Sequence, residues 1–210
     1  MGMDRIEELV SRYPSLSCVE ASVRAACEVV VSCYRGGGTV YVAGNGGSAA
    51  DASHLVGELM KGFVKRRPVP REDVEALSGL PDGAYLSERL QCGLRAMSLM
   101  SQEGITTAVQ NDLGGDLGPA QQLYALGRRG DVLIGLSTSG NARNVALACQ
   151  VAKLRGMSVI GMTGRGGGLL KSLSDVCVCV PETETFKVQE LHLPVYHCLC
   201  LMLEDKFFGA

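Results

Sequence analysis

The sequence predicts an α/β protein in which one five-stranded parallel sheet is covered by helices on both faces. Two observations carry this prediction: five short apolar runs, and the helical patterns or glycine-rich turns that follow them. Strands that alternate with helices are typical of right-handed crossovers within a parallel sheet. A length of 210 residues suits one three-layer domain, which we expect to span residues 1–210.

The N-terminal 35 residues are predicted to be helical. Helices over 3–12 and 15–35 are separated near Pro14, and the second ends at a run of three glycines, 36–38. Within the second helix, apolar residues recur at the spacing of a helix that packs one side on a core.

Five strands and two further helices are predicted beyond this point. The strands are 39–43, 96–100, 132–136, 158–162 and 175–180, of which 96–100 has the weakest pattern. Helices are expected over 49–62 and 184–207, and Pro194 should bend the second of these. Residues 63–92 are rich in proline, glycine and charge, so they are predicted to form an insertion loop that lies mostly outside the core.

Composition excludes several classes of function. A net charge of −2 gives no field for holding nucleic acid, and no apolar run reaches the roughly 18 residues of a membrane span. The N-terminus is charged too evenly for a signal peptide, so a cytoplasmic protein is expected. The nine cysteines include no Cys-x-x-Cys pair, and we expect reduced, mostly buried thiols rather than a thiolate metal site.

The segment Ser137-Thr-Ser-Gly-Asn141 follows a predicted strand and precedes a helical pattern. Unpaired backbone N–H groups and the positive end of the helix dipole favour an anion there, and hydroxyls add donors. An ordinary helix cap would need only one hydroxyl. The sequence therefore predicts a phosphate site formed by Ser137, Thr138, Ser139 and Asn141. A nucleotide is less favoured, because no dinucleotide or P-loop glycine motif occurs.

A second glycine turn leads into a helix that carries titratable groups. The turn residues, all candidate ligand contacts, are Asn45, Gly46, Gly47 and Ser48. The helix then presents Asp51, His54 and Glu58. Because His54 and Glu58 are four residues apart, they share a face and could be half of a divalent-metal site or a base held by its neighbour. The alternative is a plain surface ion pair.

The last predicted helix holds the two other histidines, His192 and His197, together with Gln189. It is otherwise apolar, so its buried polar side chains need partners. His197 lies eight residues beyond Gln189, which is ~12 Å along a helix. One metal ion cannot easily bind both from a straight helix, so a kink or a ligand from a second subunit would be required.

Taken together, these motifs resemble the SIS sugar-isomerase family, and most closely its phosphoheptose (sedoheptulose 7-phosphate) isomerase branch. The motifs that carry the resemblance are GNGGSAADASH with Glu58, Asn111-Asp112, GDVLIGLSTSGN, GMSVIGMTGRGGG and VQELHLPVYHCLC. The likeness runs from about residue 36 to 204 and excludes residues 63–92. It implies the SIS fold, with flavodoxin-like layering and N-terminal helices.

The resemblance also implies roles for individual residues. Ser48, with the three hydroxyls of residues 137–139, would bind phosphate, while Asn45 and Asp112 would contact the sugar. Glu58 would be the catalytic base and His197 the acid. Where zinc is present, with one ion per subunit, its ligands would be His54, Glu58, Gln189 and His197. Members of the family are usually homotetramers with active sites shared between subunits.

The implied reaction is the interconversion of sedoheptulose 7-phosphate and D-glycero-D-manno-heptose 7-phosphate through an enediol. Two alternatives stay open: a non-catalytic SIS protein that binds a sugar phosphate or a replication-type protein partner, and an isomerase for a C5 or C6 sugar phosphate. Three departures from the family pattern motivate the second alternative. They are Ala142 where serine is common, Lys61 where arginine is frequent, and the long segment 63–92.

Overall fold

The computed structural model describes residues 4–209 and contains one five-stranded sheet. All strand pairs are parallel, in the order β2-β1-β3-β4-β5. The strands are β1 (Val40–Ala43), β2 (Ala96–Ser98), β3 (Val132–Leu136), β4 (Ser158–Thr163) and β5 (Val176–Cys179). The predicted fold class is confirmed, and each strand lies within one residue or two of its predicted bounds.

Ten helices surround the sheet in the described part of the chain. They are α1 (Arg5–Arg12), α2 (Glu20–Arg35), α3 (Gly47–Met60), α4 (Arg71–Leu77), α5 (Gly83–Arg89), α6 (Glu103–Asp112), α7 (Gly118–Leu126), α8 (Arg143–Leu154), α9 (Gly168–Leu173) and α10 (Thr185–Phe208). A short 3₁₀ helix, Pro14–Val19, precedes α2. The sequence analysis assigned no element to the region of α6 and α7.

The segment 63–92 differs in part from its prediction. It contains two short helices, α4 and α5, rather than a loop alone, although most of its side chains are exposed as expected. One residue in it, Arg67, is completely buried. The charge-rich composition predicted that this arginine is exposed. That prediction was wrong, because the arginine forms an ion pair with a buried carboxylate, Glu204.

Two cores lie on opposite faces of the sheet. Alternate residues of a strand point to opposite faces, so Val40 and Val42 join the core with α1, α2, α3 and α10. Tyr41 and Ala43 join the other core, which is closed by α7, α8 and α9. The result is the predicted three-layer arrangement, with the carboxyl ends of the central strands β1 and β3 opening at one edge, where such sheets bind ligands.

Helices α3 and α10 lie side by side and run in the same direction. Gly47 at the start of α3 adjoins Gln189 of α10, and a Cβ atom at position 47 would come within 2.8 Å of the Gln189 amide nitrogen. Further along, His54 meets His197. Helix α10 continues through Pro194 as one helix. This close parallel packing positions both parts of the candidate site.

Within residues 4–209, no helix is long and apolar enough to cross a membrane. The cysteines are free thiols, as predicted, and five of them are buried. Burial raises the pKa of Cys27 and Cys33 to about 11, which keeps these thiols protonated and unreactive at neutral pH.

Candidate active site

A cavity of about 410 Å³ lies at the carboxyl ends of β1 and β3. Its walls come from the two glycine- and hydroxyl-rich turns and from α10. They are Asn45, Gly46, Gly47, Ser48, Leu136, Ser137, Thr138, Ser139, Ala142, Thr185 and Gln189. The structure therefore brings together most of the predicted ligand-binding residues, although they come from segments up to about 140 positions apart in the chain.

Three helices begin at this cavity, which makes it electropositive. Helix α3 begins at Gly47, α10 begins at Thr185, and α8 begins directly after Ala142. The first N–H groups of each helix have no helical partner, and each helix dipole contributes roughly half a positive charge at that end. Three such ends at one cavity are well suited to a phosphate dianion.

The hydroxyls of the turn hydrogen-bond to the backbone of the turn itself. Ser137 Oγ accepts the Ala142 backbone N–H at 3.2 Å, and Ser139 Oγ accepts that of Asn141 at 3.2 Å. A hydroxyl that accepts a backbone N–H can still donate its own proton. Neither hydroxyl caps α8, which has no side-chain hydrogen bond from its N-cap residue, Ala142, so the alternative of an ordinary helix cap is wrong for this turn.

Three of the predicted ligand contacts, two for the sugar and one for the phosphate, have different surroundings. Asn45 borders the cavity and exchanges two amide hydrogen bonds of 2.8 Å with Asn144, which holds its side chain at the rim. Asn141 Oδ1 accepts the backbone N–H of Leu169 at 3.0 Å, so it supports the turn rather than the cavity. Asp112 lies at the exposed end of α6, hydrogen-bonded to Asn111, and is outside the walls of this cavity.

A second cluster forms farther along α3 and α10. His54 Nε2 lies 3.3 Å from Glu58 Oε1 and 3.5 Å from His197 Nε2. The Glu58 side chain is only 14% exposed, whereas that of His54 is 44% exposed. Burial, reinforced by the neighbouring His54, lowers the pKa of His197, which favours a neutral imidazole. This acid–base cluster, His54, Glu58 and His197, unites the predicted base and acid in one chain.

Behind His54 lies a hydrogen-bonded chain that the sequence analysis did not find. Tyr196 OH is 3.1 Å from His54 Nδ1 and 3.1 Å from Asp51 Oδ1. An ionised carboxylate only accepts, so the Tyr196 hydroxyl donates to Asp51 and accepts the proton on His54 Nδ1.

Two more side chains border the acid–base cluster. Lys61 Nζ lies 3.4 Å from Glu58 Oε2, so this lysine faces the carboxylate and not the phosphate cavity. The ring of Phe63 packs against that of His197, with ring centroids 5.3 Å apart. Neither contact could be derived from the spacing of motifs, because both depend on how the chain turns after α3.

The predicted zinc ligands fit a metal ion only in part. Two ligands of one tetrahedral zinc ion are about 3.3 Å apart when each bond is about 2 Å, and His54 meets both Glu58 and His197 near this separation. Gln189, however, lies beside Gly47 at the phosphate cavity. Within residues 4–209, no three His, Cys, Asp or Glu side chains are arranged around one metal position. One chain alone therefore does not present the complete set.

The fold defines the class of protein, a three-layer α/β domain with a cavity at the carboxyl ends of its central strands, and comparison with known proteins gives its family. The family model described as the SIS domain matches residues 6–91 and 81–164, and the chain belongs to that family.

Within the family, the chain groups with the phosphoheptose isomerases, which are aldose–ketose isomerases. It is 43% identical over 188 residues to the phosphoheptose isomerase of Rhodospirillum rubrum, covering 90% of this chain and 87% of that protein. The solved phosphoheptose isomerase of Neisseria gonorrhoeae superposes with a TM-score of 0.75 at 32% identity, with 94% of each chain covered. That of Francisella tularensis gives a TM-score of 0.76 at 28% identity, covering 92% of this chain and 91% of its own.

Proposed function

We propose that the protein interconverts sedoheptulose 7-phosphate and D-glycero-D-manno-heptose 7-phosphate. The observation that carries the proposal is the pairing of a cavity where three helices begin with a partly buried carboxylate, Glu58, that faces the imidazole of His54, which in turn meets that of His197. The names of the relatives support the choice of a seven-carbon substrate. Phosphate binding at the cavity would hold the sugar in one orientation, so that its carbonyl end meets the acid–base cluster.

In the proposed mechanism, Glu58 is the base and His197 the acid. Glu58 removes the proton from C1 of the ketose while His197 protonates the oxygen on C2, which gives the enediol. Glu58 then returns its proton to C2, and the proton on the C1 oxygen leaves to His197, which gives the aldose. The position of Glu58 suits this task, because its side chain is only 14% exposed and one carboxylate oxygen lies 3.3 Å from His54 Nε2.

We further propose that each active site is shared between subunits of a homotetramer. Gln189 lines the phosphate cavity, and His197 lies eight residues further along the same helix, which is ~12 Å. This separation does not depend on rotamers, so one chain cannot bring Gln189 and His197 to the same atom of a substrate or metal. A neighbouring copy of the chain can supply the missing group.

The proposed zinc ion would be held by His54 and Glu58, with His197 and Gln189 as further ligands, one or both from a second subunit. When bound, zinc would polarise the carbonyl oxygen and stabilise the developing negative charge. Metal analysis of the purified protein, before and after treatment with a chelator, tests this directly. Less than one zinc ion per two subunits, together with unchanged activity in chelator, would refute it.

The Glu58→Gln variant tests the assignment of the base. Gln is nearly isosteric with Glu but cannot accept the proton, so turnover should fall by at least about 10³-fold while the fold and phosphate binding are kept. Glu72→Gln, at an exposed position of α4, is the matched control and should retain wild-type activity. Both variants are assayed by direct product analysis with C5, C6 and C7 ketose phosphates.

The same assay separates the proposed enzyme from its rivals. A wild-type protein whose melting temperature rises with sedoheptulose 7-phosphate, yet which makes no aldose, would be a sugar-phosphate binder. Faster turnover of a C5 or C6 ketose phosphate would overturn the choice of substrate. A Glu58→Gln variant with wild-type turnover would overturn the mechanism.

A further inference from the structure

The largest fully buried side chain in the described residues belongs to Arg67, and it pairs with an equally buried glutamate. Arg67 Nε lies 2.9 Å from Glu204 Oε1, and both side chains are 0% exposed. Removing two charges from water is costly, and an apolar pair of similar volume often stabilises a fold as well or better. Stability alone is therefore a weak reason for this ion pair, and its other contacts indicate what it does.

The guanidinium of Arg67 also binds the end of the helix that carries the proposed base. Its Nη1 donates to the backbone carbonyl of Leu59 at 2.8 Å, and its Nη2 donates to that of Glu58 at 3.3 Å. Carbonyls in the last turn of a helix lack helical partners, and Arg67 provides hydrogen-bond donors to these two carbonyls. One of the two belongs to Glu58 itself, which ties the backbone of the base to a buried, rigid group.

The carboxylate of Glu204 binds the turn that follows the same helix. It accepts the backbone N–H groups of Phe63, Val64 and Lys65 at 2.8, 3.0 and 3.1 Å. These donors and Arg67 offset the cost of burial, and the pKa of Glu204 lies below its usual value. The first of the three residues, Phe63, packs its ring on His197. Glu204 therefore holds the residue that supports the proposed acid.

We propose that Arg67 and Glu204 are positioning residues for the isomerase reaction. Their ion pair hydrogen-bonds to no side chain of the cavity or of the acid–base cluster, yet it holds the backbone of Glu58 on one side and the backbone of Phe63, beside His197, on the other. The pair thus sets the distance between base and acid. This inference rests on the proposed function, since it assigns the pair a role in that reaction.

Steady-state kinetics of Arg67→Lys and Glu204→Gln in the full-length protein test the proposal. Lysine keeps the charge but cannot reach the carboxylate and two carbonyls at once. Gln still accepts backbone N–H groups. Since a small misplacement of reacting groups costs up to about 100-fold in rate, kcat should fall about 10- to 100-fold, while KM, which reflects the untouched phosphate cavity, should change less than about threefold.

Two controls separate positioning from loss of folding. Arg71→Lys alters an exposed ion pair of the same segment, 92% and 66% exposed, and should leave kcat unchanged. Each variant is assayed at least 15 °C below its own melting temperature. If both ion-pair variants fail to fold, Phe63→Leu removes the ring from His197 and leaves the pair intact, and it should lower kcat about 10-fold in the same way.

The outcomes are distinct for the two proposals. An active wild-type enzyme whose folded Arg67 or Glu204 variant retains kcat within about twofold would overturn the positioning role alone. If Phe63→Leu is used instead, an unchanged kcat of that variant would likewise overturn the positioning role alone. A wild-type protein that isomerises no ketose phosphate would overturn the proposed function and, with it, this role.

Discussion

Replacement of Tyr196 by Phe removes one oxygen atom from behind His54 of the acid–base cluster and changes nothing else in shape. Tyr196 is completely buried, and its ring packs edge-on against that of His54, with centroids 5.6 Å apart. Phe can keep this packing. The variant therefore isolates the hydroxyl that joins His54 Nδ1 to Asp51, each at 3.1 Å.

The expected effect of Tyr196→Phe on stability and on catalysis follows from these contacts. Loss of the hydroxyl leaves the half-buried Asp51 carboxyl without its donor, which costs about 1–3 kcal/mol of stability. Burial already raises the pKa of Asp51, and the hydrogen bond from Tyr196 opposes that rise, so the pKa should rise further in the variant. Without the hydroxyl, nothing orients His54 Nδ1. Loss of such a partner behind a functional histidine typically costs 10- to 100-fold in activity or metal affinity, and we expect about that range for both.

Three measurements on the purified variant check this prediction: kcat, zinc affinity by competition with a chromogenic chelator, and the unfolding midpoint in urea. Tyr85→Phe is the matched control, because its ring is 64% exposed, and it should behave as wild type. A Tyr196→Phe variant with lowered stability but wild-type kcat and zinc affinity would refute the reasoning, since the hydroxyl would then be only structural.

Three more predictions test other parts of the molecule. Thr138→Val should raise KM about 10-fold with little change in kcat, as expected for one lost hydrogen bond to a charged group in the phosphate cavity. His192 is buried and burial lowers its pKa to about 4 from 6.5, so its proton binds mainly to the unfolded chain. Wild-type stability should therefore fall by up to about 3 kcal/mol from pH 6.5 to 4, and urea titrations of His192→Leu should show a smaller fall. Gly140→Ala should lose more than about 1 kcal/mol, because φ is +72° and the new Cβ would lie 2.0 Å from the Gly167 carbonyl oxygen; Gly57→Ala, in open space on α3, should not lose stability.

The central strands could be predicted because each is a short apolar run that is largely or fully buried, whereas the edge strands β2 and β5 are only partly buried. The five residues of β3 are all buried, and their composition carries the signal. The helices α6 and α7 could not be predicted in the same way. In α6 only Val109 is buried, so its sequence shows little helical periodicity, and its structure depends on packing against α7.

The candidate site was predictable where it depends on local spacing and not where it depends on packing. The turn around Ser137 and the pair of His54 and Glu58, four residues apart, were found from the sequence. The burial of Arg67 was missed, because the run KRRP reads as solvent-exposed and its partner, Glu204, lies 137 positions away. The position of Thr185 in the cavity wall could not be derived either, since it requires α10 to begin beside the turn of α3.

The parallel packing of α3 and α10 bears both on zinc binding and on whether active sites are shared between subunits. Along α3 the acid–base cluster begins at His54, seven residues after Gly47, and along α10 it lies at His197, eight residues after Gln189, so both helices separate it from the phosphate cavity by roughly 10–12 Å. Any zinc ion that binds Gln189 together with His197 must then use two copies of the chain.

Co-expression of two inactive variants tests whether the phosphate cavity and the base of one active site come from one chain or from two. Thr138→Glu places a negative charge in the phosphate cavity, and Glu58→Gln removes the base. If each site takes its phosphate cavity from one chain and its base from another, random mixing leaves both intact in about a quarter of the sites. About a quarter of the wild-type activity should then return. If nothing returns from folded mixed oligomers, the phosphate cavity and the base of one active site come from the same chain, and any residue shared between subunits must then be Gln189 or His197.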